Sequence, residues 1–296
     1  SPRSATAPAT ARREWNYVER ARLRDQHAQQ CVLAAKWLDG KTLVEAGFAN
    51  RLDDDDGPPL RVLRTWRVGT PVMNVANADG IFPGSMGDVS ALAAGDGLVV
   101  VTSNPPNRRP GYAEVWLAVT ATKSDKPPTL VPLRRLREHT EPLYACAVGG
   151  GLLATGGDDC TVRLWPTAFT RATVADDYDG EHASLQTLHL PGKVWALALH
   201  SHLLVVGGAL ECAGESSGMD RHIRVRLFGV ADLAAGRGAA VVLCTLQEES
   251  IVREWGVRSV ATHGGTVVVA GGDDGVVHVW ALAEKGKADR GDGAEA

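Results

Sequence analysis

The stretch EHTEPLYACAVGGGLLATGGDDCTVRLW, from Glu138 to Trp165, decides the fold. Its apolar alternation predicts three short strands, at Leu143 to Val148, Leu152 to Thr155 and Thr161 to Trp165. Three glycines at positions 149 to 151 separate the first two strands, and the tight turn Asp158-Asp159-Cys160 separates the last two. Because Gly and Asp favour tight turns, the chain reverses twice and the stretch predicts an antiparallel sheet.

Weaker copies of this stretch recur along the chain and decide the architecture. Each copy has an apolar-alternating strand, a short polar hairpin and a second strand rich in Val, Leu or Ala: Cys31 to Gly47, Val89 to Ser103, Val194 to Gly208 and Val257 to Gly272. The predicted third strands end at Trp66, Trp116, Trp165, Leu227 or Phe228, and Trp280. Five copies at a period of about 50 to 60 residues indicate a repeat protein, whose extra length lies in loops.

Four residues of the complete copy give it a close resemblance to the WD-repeat family. His139, Thr155, Asp159 and Trp165 fall where that family has its His, Ser/Thr, Asp and Trp. The resemblance implies an all-β protein, a β-propeller of four-stranded antiparallel blades with five recognisable WD-like repeats. It also implies that these four side chains form a buried, structural hydrogen-bond network.

Ring closure in this family usually joins an N-terminal strand to the last blade. Residues 15 to 24, WNYVERARLR, fit either a helix or a strand. A strand is favoured because His27 precedes Cys31 by four residues, as His139 precedes Leu143. We therefore expect a disordered lead at 1–11, a propeller at 12–283 closed by this strand, and a disordered polar tail at 284–296. The family commonly has seven blades, so either the ring is small or two blades are missing.

Composition narrows the class of protein and of partner. The 296 residues carry a net charge of −4 with a pI near 6.1, which argues against a general nucleic-acid or anionic-membrane binder. With no apolar run of membrane-spanning length and no secretory signal in the first ten residues, we expect an intracellular protein, cytoplasmic or nuclear. Five cysteines without a C-x-x-C pair predict buried reduced thiols: Cys31, Cys146, Cys160, Cys212 and Cys244.

Catalytic, cofactor and metal sites are not indicated. The sequence lacks the G-x-S-x-G, phosphate-loop and H-E-x-x-H patterns, and its Gly-rich stretches join strands, so no helix N-terminus is available to bind phosphate. The aspartate run Asp53, Asp54, Asp55 and Asp56 lacks the ligand spacing of a calcium loop and is interpreted as solvated. We expect no enzyme activity, no cofactor, no metal and no small-molecule substrate.

Loop length and charge point to a protein-binding rim. The insertion NPPNRRPG, at 104–111, places Arg108 and Arg109 on a proline-stiffened projection, and Asp53 to Asp56 form an opposing acidic patch. The leading hypothesis is a non-catalytic WD-repeat scaffold that binds proteins or peptides through this rim. The alternative is the substrate-recognition part of an F-box/WD-repeat ubiquitin ligase, because Arg13-Glu14-Trp15 with Tyr17 resembles the linker between an F-box and its propeller.

Overall fold

A computed structural model describes ten segments of the chain: residues 30–49, 60–67, 73–77, 88–105, 110–120, 126–168, 183–210, 222–234, 236–249 and 256–282. These segments contain β1 (Gln30–Trp37), β2 (Thr42–Ala49), β3 (Leu60–Arg67), β4 (Met73–Asn77), β5 (Asp88–Gly95), β6 (Leu98–Asn104), β7 (Tyr112–Val119), β8 (Thr129–Leu136), β9 (Leu143–Gly149), β10 (Leu152–Gly157), β11 (Thr161–Pro166), β12 (Gln186–His189), β13 (Lys193–His200), β14 (Leu203–Ala209), β15 (His222–Gly229), the one-turn helix α1 (Ala231–Ala234), β16 (Val241–Glu249), β17 (Val257–His263), β18 (Val267–Gly272) and β19 (Val277–Ala281).

The strands form five antiparallel sheets, which are the blades of a five-bladed β-propeller. Blades 1 to 4 contain β1–β4, β5–β8, β9–β12 and β13–β16, each in chain order from the inner to the outer strand. Blade 5 contains β17–β19 within the described residues. The strand at Trp15 to Arg24, which we expect to complete it, lies outside the described residues and stays a prediction, as do the lead at 1–11 and the tail at 284–296.

The repeat pattern located the strands to within a few residues. The three strands predicted in the complete repeat are β9, β10 and β11, each one or two residues longer than expected. The fourth repeat, which lacks a Trp at the end of its third strand, still forms a full blade, and Phe228 takes the core position that Trp165 has in blade 3. Helix α1 adds one turn between β15 and β16, where no helix was expected.

The described residues form four apolar layers, one between each pair of consecutive blades. Between blades 3 and 4, for example, Ala154 and Leu164 pack with Leu204 and Val206, all fully buried. The equivalent layers lie between blades 1 and 2, 2 and 3, and 4 and 5. Because both faces of a middle blade are covered, strands such as β10 are near-continuous apolar runs.

Adjacent blades are also joined by polar contacts at the edge of the core. The Asn104 side chain accepts a 2.7 Å hydrogen bond from the Leu143 amide and donates a 2.8 Å bond to the Leu143 carbonyl, which ties β6 to β9. Buried ion pairs cross two of the sheets, at Arg64 with Glu45 and at Arg135 with Glu114. Removal of one partner of such a pair would leave a buried, unpaired charge, which destabilises the fold.

The cysteines differ from the expectation of uniformly buried thiols. Cys146 is buried and burial raises the pKa of its thiol to about 12, but Cys160 is half-buried and Cys244 is exposed on β16. The expectation was therefore wrong for Cys244, because an outer strand has no blade beyond it. The side chains of Cys31 and Cys212 lie outside the described structure.

This difference predicts selective alkylation. Iodoacetamide at neutral pH should modify Cys244 in the folded protein and leave Cys146 unmodified, because only an accessible thiolate reacts. Peptide mapping by mass spectrometry measures both sites, and unfolding in guanidinium should bring Cys146 to the same extent of labelling. Equal labelling of the two cysteines in the folded protein would contradict the burial of Cys146.

None of the helices in the described part of the chain is long and apolar enough to cross a membrane.

Candidate functional site

The structure brings together the four residues of the complete WD-like repeat. His139 Nδ1 lies 2.7 Å from Asp159 Oδ2, and His139 Nε2 lies 2.8 Å from Thr155 Oγ1. Trp165 Nε1 donates a 3.0 Å hydrogen bond to the same Thr155 oxygen. One consistent chain of donors follows: Trp165 donates to Thr155, the Thr155 hydroxyl donates to His139 Nε2, and His139 Nδ1 donates to Asp159.

The network is buried, although its composition resembles that of a hydrolytic triad. Thr155 has no solvent-exposed surface, and Trp165 is 1% exposed. A nucleophilic hydroxyl must reach a substrate carbonyl, whereas Trp165 and the strands of blade 3 enclose the Thr155 hydroxyl. The network therefore ties the β10–β11 turn and the loop before β9 to the centre of the blade.

Thr161 extends the network and was not expected from the sequence. Asp159 Oδ1 accepts hydrogen bonds from the Thr161 hydroxyl at 2.8 Å and from the Thr161 amide at 3.0 Å. Burial disfavours the ionised carboxyl of Asp159, but the hydrogen bonds from His139 and Thr161 outweigh burial and lower its pKa to about 2. The sequence signal for Thr161 is the D-x-T spacing, in which an Asp side chain accepts from the backbone two residues later.

A second set of residues shares one position in the five inner strands. Each inner strand has a β-bulge near its start, where one extra residue is opposed by no partner in the second strand. The extra residues are Leu33, Ser90, Tyr144, Trp195 and Arg258. Because a bulge redirects the side chain of its extra residue, successive blades present these side chains at the same end of the propeller. We call this set the bulge rim.

Four members of the bulge rim line one depression of about 470 Å³, together with Asp158 and Lys193. The Arg258 guanidinium carbon lies 4.0 Å from the centre of the Trp195 ring, in a cation–π contact that joins blades 4 and 5. Arg258 Nε also lies 2.9 and 2.8 Å from the two carboxylate oxygens of Asp273. These contacts fix the orientation of the exposed guanidinium.

Blades 3 and 4 meet at the other side of the depression. Lys193 Nζ lies 2.7 Å from Asp158 Oδ2, and this hydrogen bond raises the pKa of the lysine. Tyr144 is 39% exposed beside this pair. The depression thus combines two aromatic rings with two cations and a carboxylate.

The partner-binding residues expected from loop charge stay a prediction, because the structure does not describe them. Arg108, Arg109 and the run Asp53, Asp54, Asp55 and Asp56 lie outside the described residues, as does the Arg13 to Tyr17 segment that resembles an F-box linker. The loop analysis missed the bulge rim because its members lie inside strands. A usable signal was present: each rim residue follows the first Val or Leu of a repeat, as in VSA, LYA, VWA and VRS.

The described residues contain no group of three or more His, Cys, Asp or Glu side chains placed to hold a metal ion.

Comparisons with known proteins agree with this architecture. The family model for "WD domain, G-beta repeat" matches residues 130–166 and 247–281, which cover β8 to β11 and most of blade 5. A mouse (Mus musculus) protein, the tRNA (34-2'-O)-methyltransferase regulator WDR6, is 28% identical over 175 residues. That alignment covers 58% of this chain and 13% of the mouse protein, so the chain spans a small part of its relative.

Two solved structures of designed proteins are also similar. The computationally designed Ika4 protein is 20% identical and aligns with a TM-score of 0.43 over 68% of this chain and 96% of its own. The designed Ika8 protein is 17% identical, with a TM-score of 0.46 over 85% of this chain and 71% of its own. The two repeat matches and the mouse relative show that this chain carries WD-like repeats and is similar to WD-repeat proteins, in agreement with the His-Thr-Asp-Trp network and the five blades.

Proposed function

We propose that this propeller is a non-catalytic scaffold that binds a protein partner through the bulge rim. The observation that supports it is the depression between Tyr144 and Trp195, where Arg258 is stacked on the indole ring and held by Asp273. Tyr, Trp and Arg are the residue types most enriched among binding hot spots. Their orientation by bulges and ion pairs lowers the ordering cost of binding.

The proposal also includes the two charged loops expected from the sequence. Arg108 and Arg109, with Asp53 to Asp56, are proposed to steer and register the partner, since complementary charges raise association rates. The mouse relative is named as the regulator of a tRNA methyltransferase, so a methyltransferase is the first partner to test. We therefore propose first that the partner of this chain is an enzyme subunit.

The test compares affinity capture by the wild-type chain with capture by Trp195→Ala and Arg258→Ala. Each substitution removes one half of the cation–π pair, and we expect the affinity for a captured partner to fall by about tenfold or more. His202→Ala is the matched control, because His202 lies in the hairpin at the opposite end of the same blade. Reversal of Arg108 and Arg109 to Glu tests the flank and should reduce the salt dependence of binding.

Partners are identified by mass spectrometry and their dissociation constants measured by titration with purified components. Partners that bind both rim variants as tightly as the wild type, but lose affinity for the His202→Ala protein, would reject the bulge rim. The protein would then bind through its other end.

A further inference from the structure

Blade 5 has an apolar face that is not covered in the described structure. We call it the far face of blade 5; it points away from blade 4 and carries alternate residues of β17, β18 and β19. Ala261 is exposed, Val267 and Val269 are half-buried, and Val277 and Val279 are 68% and 64% exposed. A contiguous exposed apolar surface of this kind marks an interaction site.

The same positions in blade 4 show what covers such a face. Leu203 and Val205 occupy the positions of Val267 and Val269, and the exposed fraction of each is 1% or less. They belong to an apolar cluster with Val257 and Val268 of the next blade. In each repeated interface, the far face of one blade therefore packs against the inner strand and the sheet of the following blade.

Glycines form a socket in this repeated interface. A Cβ atom at Gly156 would lie 2.5 Å from Val194 Cγ1, and one at Gly207 would lie 2.5 Å from Val257 Cγ1. The first valine of each following inner strand thus fills the space beside a glycine. At the equivalent Gly271, the described residues place only Ser259 Oγ near a Cβ atom, at 3.2 Å, so no strand of the described segments fills this socket.

Blade 1 carries the element that matches this socket. In the register of β1 with β2, Val32 opposes Gly47 and precedes the bulge, as Val194 opposes Gly208 and Val257 opposes Gly272. Further along the same strand, Trp37 is 56% exposed, whereas Leu199 at the equivalent position of β13 packs in the layer between blades 3 and 4. The inner strand of blade 1 therefore has an exposed apolar side chain where β13 is packed against a preceding blade.

We propose that the far face of blade 5 binds the inner strand of blade 1 from a second copy of this chain. Within one chain the inner strands pack in succession, β1 with β5, β5 with β9, β9 with β13 and β13 with β17, but β17 has no comparable packing against β1 in the described residues. Two different, complementary surfaces make this a head-to-tail contact. It lies away from the bulge rim depression and is independent of the proposed function.

The test measures the molar mass of the whole chain by sedimentation and light scattering over a concentration series. The wild type should associate, whereas Val279→Asp, which places a charge on the far face, should weaken association by about tenfold or more. Trp37→Asp should do the same from the other side. Val241→Asp is the control, because Val241 is 61% exposed on the outer strand of blade 4, and it should associate like the wild type.

A mixture separates head-to-tail docking from general stickiness. Val279→Asp keeps an intact blade 1 and Trp37→Asp keeps an intact blade 5, so their equimolar mixture should form a dimer that grows no further. Circular dichroism verifies that each variant is folded. If Val279→Asp does not fold, Ala281→Arg on the same face is tested in its place. The proposal would be overturned if the wild type stayed monomeric at every concentration, or if the mixture stayed monomeric. A monomeric wild type is also the result expected if blade 1 closes onto blade 5 of the same chain.

Discussion

Replacement of Trp165 by Ala should lower the free energy of unfolding by about 3–5 kcal/mol. The Trp165 ring is 1% exposed and packs in the layer between blades 2 and 3, against residues that include Val115 and Leu153. Its removal leaves a cavity that the sheets cannot close, and it also removes the donor to the Thr155 hydroxyl. Thermal and denaturant unfolding followed by circular dichroism measure the loss.

Two controls separate packing from hydrogen bonding. Trp165→Phe keeps most of the ring and deletes the N–H group, so its cost should be closer to the ~1 kcal/mol of a single hydrogen bond. Trp280→Ala changes the corresponding position of blade 5, where Trp280 is half-buried and stacked on His278 at 5.6 Å between ring centres. Because less surface is buried there, Trp280→Ala should cost less than Trp165→Ala. Equal losses for the two alanine variants would contradict the role of the inter-blade layer.

Local patterns were sufficient to predict the blades. In the strands β9 to β11, alternation and turn residues act over fewer than ten residues, and an error in one repeat is corrected by the others. The contact between His139, Thr155, Asp159 and Trp165 could be predicted because the motif to which they belong lies within one sheet. For blade 4, the missing Trp removed a motif residue but not the apolar alternation, so the blade remained detectable.

Contacts between blades were beyond prediction from the sequence. The approach of Arg258 to Trp195 depends on how blade 5 packs beside blade 4, and these residues are 63 positions apart (258 − 195). The bulges are equally hidden, because the register shift at Tyr144 becomes visible only when β9 is aligned with β10. The prediction from loop charge does not depend on how the blades pack. It pointed to Arg108 and Asp53, which lie outside the described residues.

Replacement of Asp159 by Ala should destabilise the protein by about 1–3 kcal/mol, since it leaves a buried His139 nitrogen and the Thr161 hydroxyl without their acceptor. The loss should be confined to stability, so the affinity of the Trp195 and Arg258 surface should be retained under conditions where the protein is folded. If Asp159→Ala abolished an activity without lowering stability, the structural role of the network would be wrong and a catalytic role would replace it.

The pH dependence of this loss identifies the carboxylate as its source. The folded-state pKa of Asp159 is lowered from 3.8 to about 2, so its contribution is fully present above pH 4 and disappears as the pH falls from about 4 to about 2. The difference corresponds to about 2 kcal/mol. Asp159→Asn keeps the shape and one acceptor oxygen but has no charge to lose, so the stability gap between it and the wild type should have its full size at pH 5 and should narrow across this window. A gap that stayed constant from pH 5 to pH 2 would show that ionisation of Asp159 does not hold the β10–β11 turn, and that shape alone does.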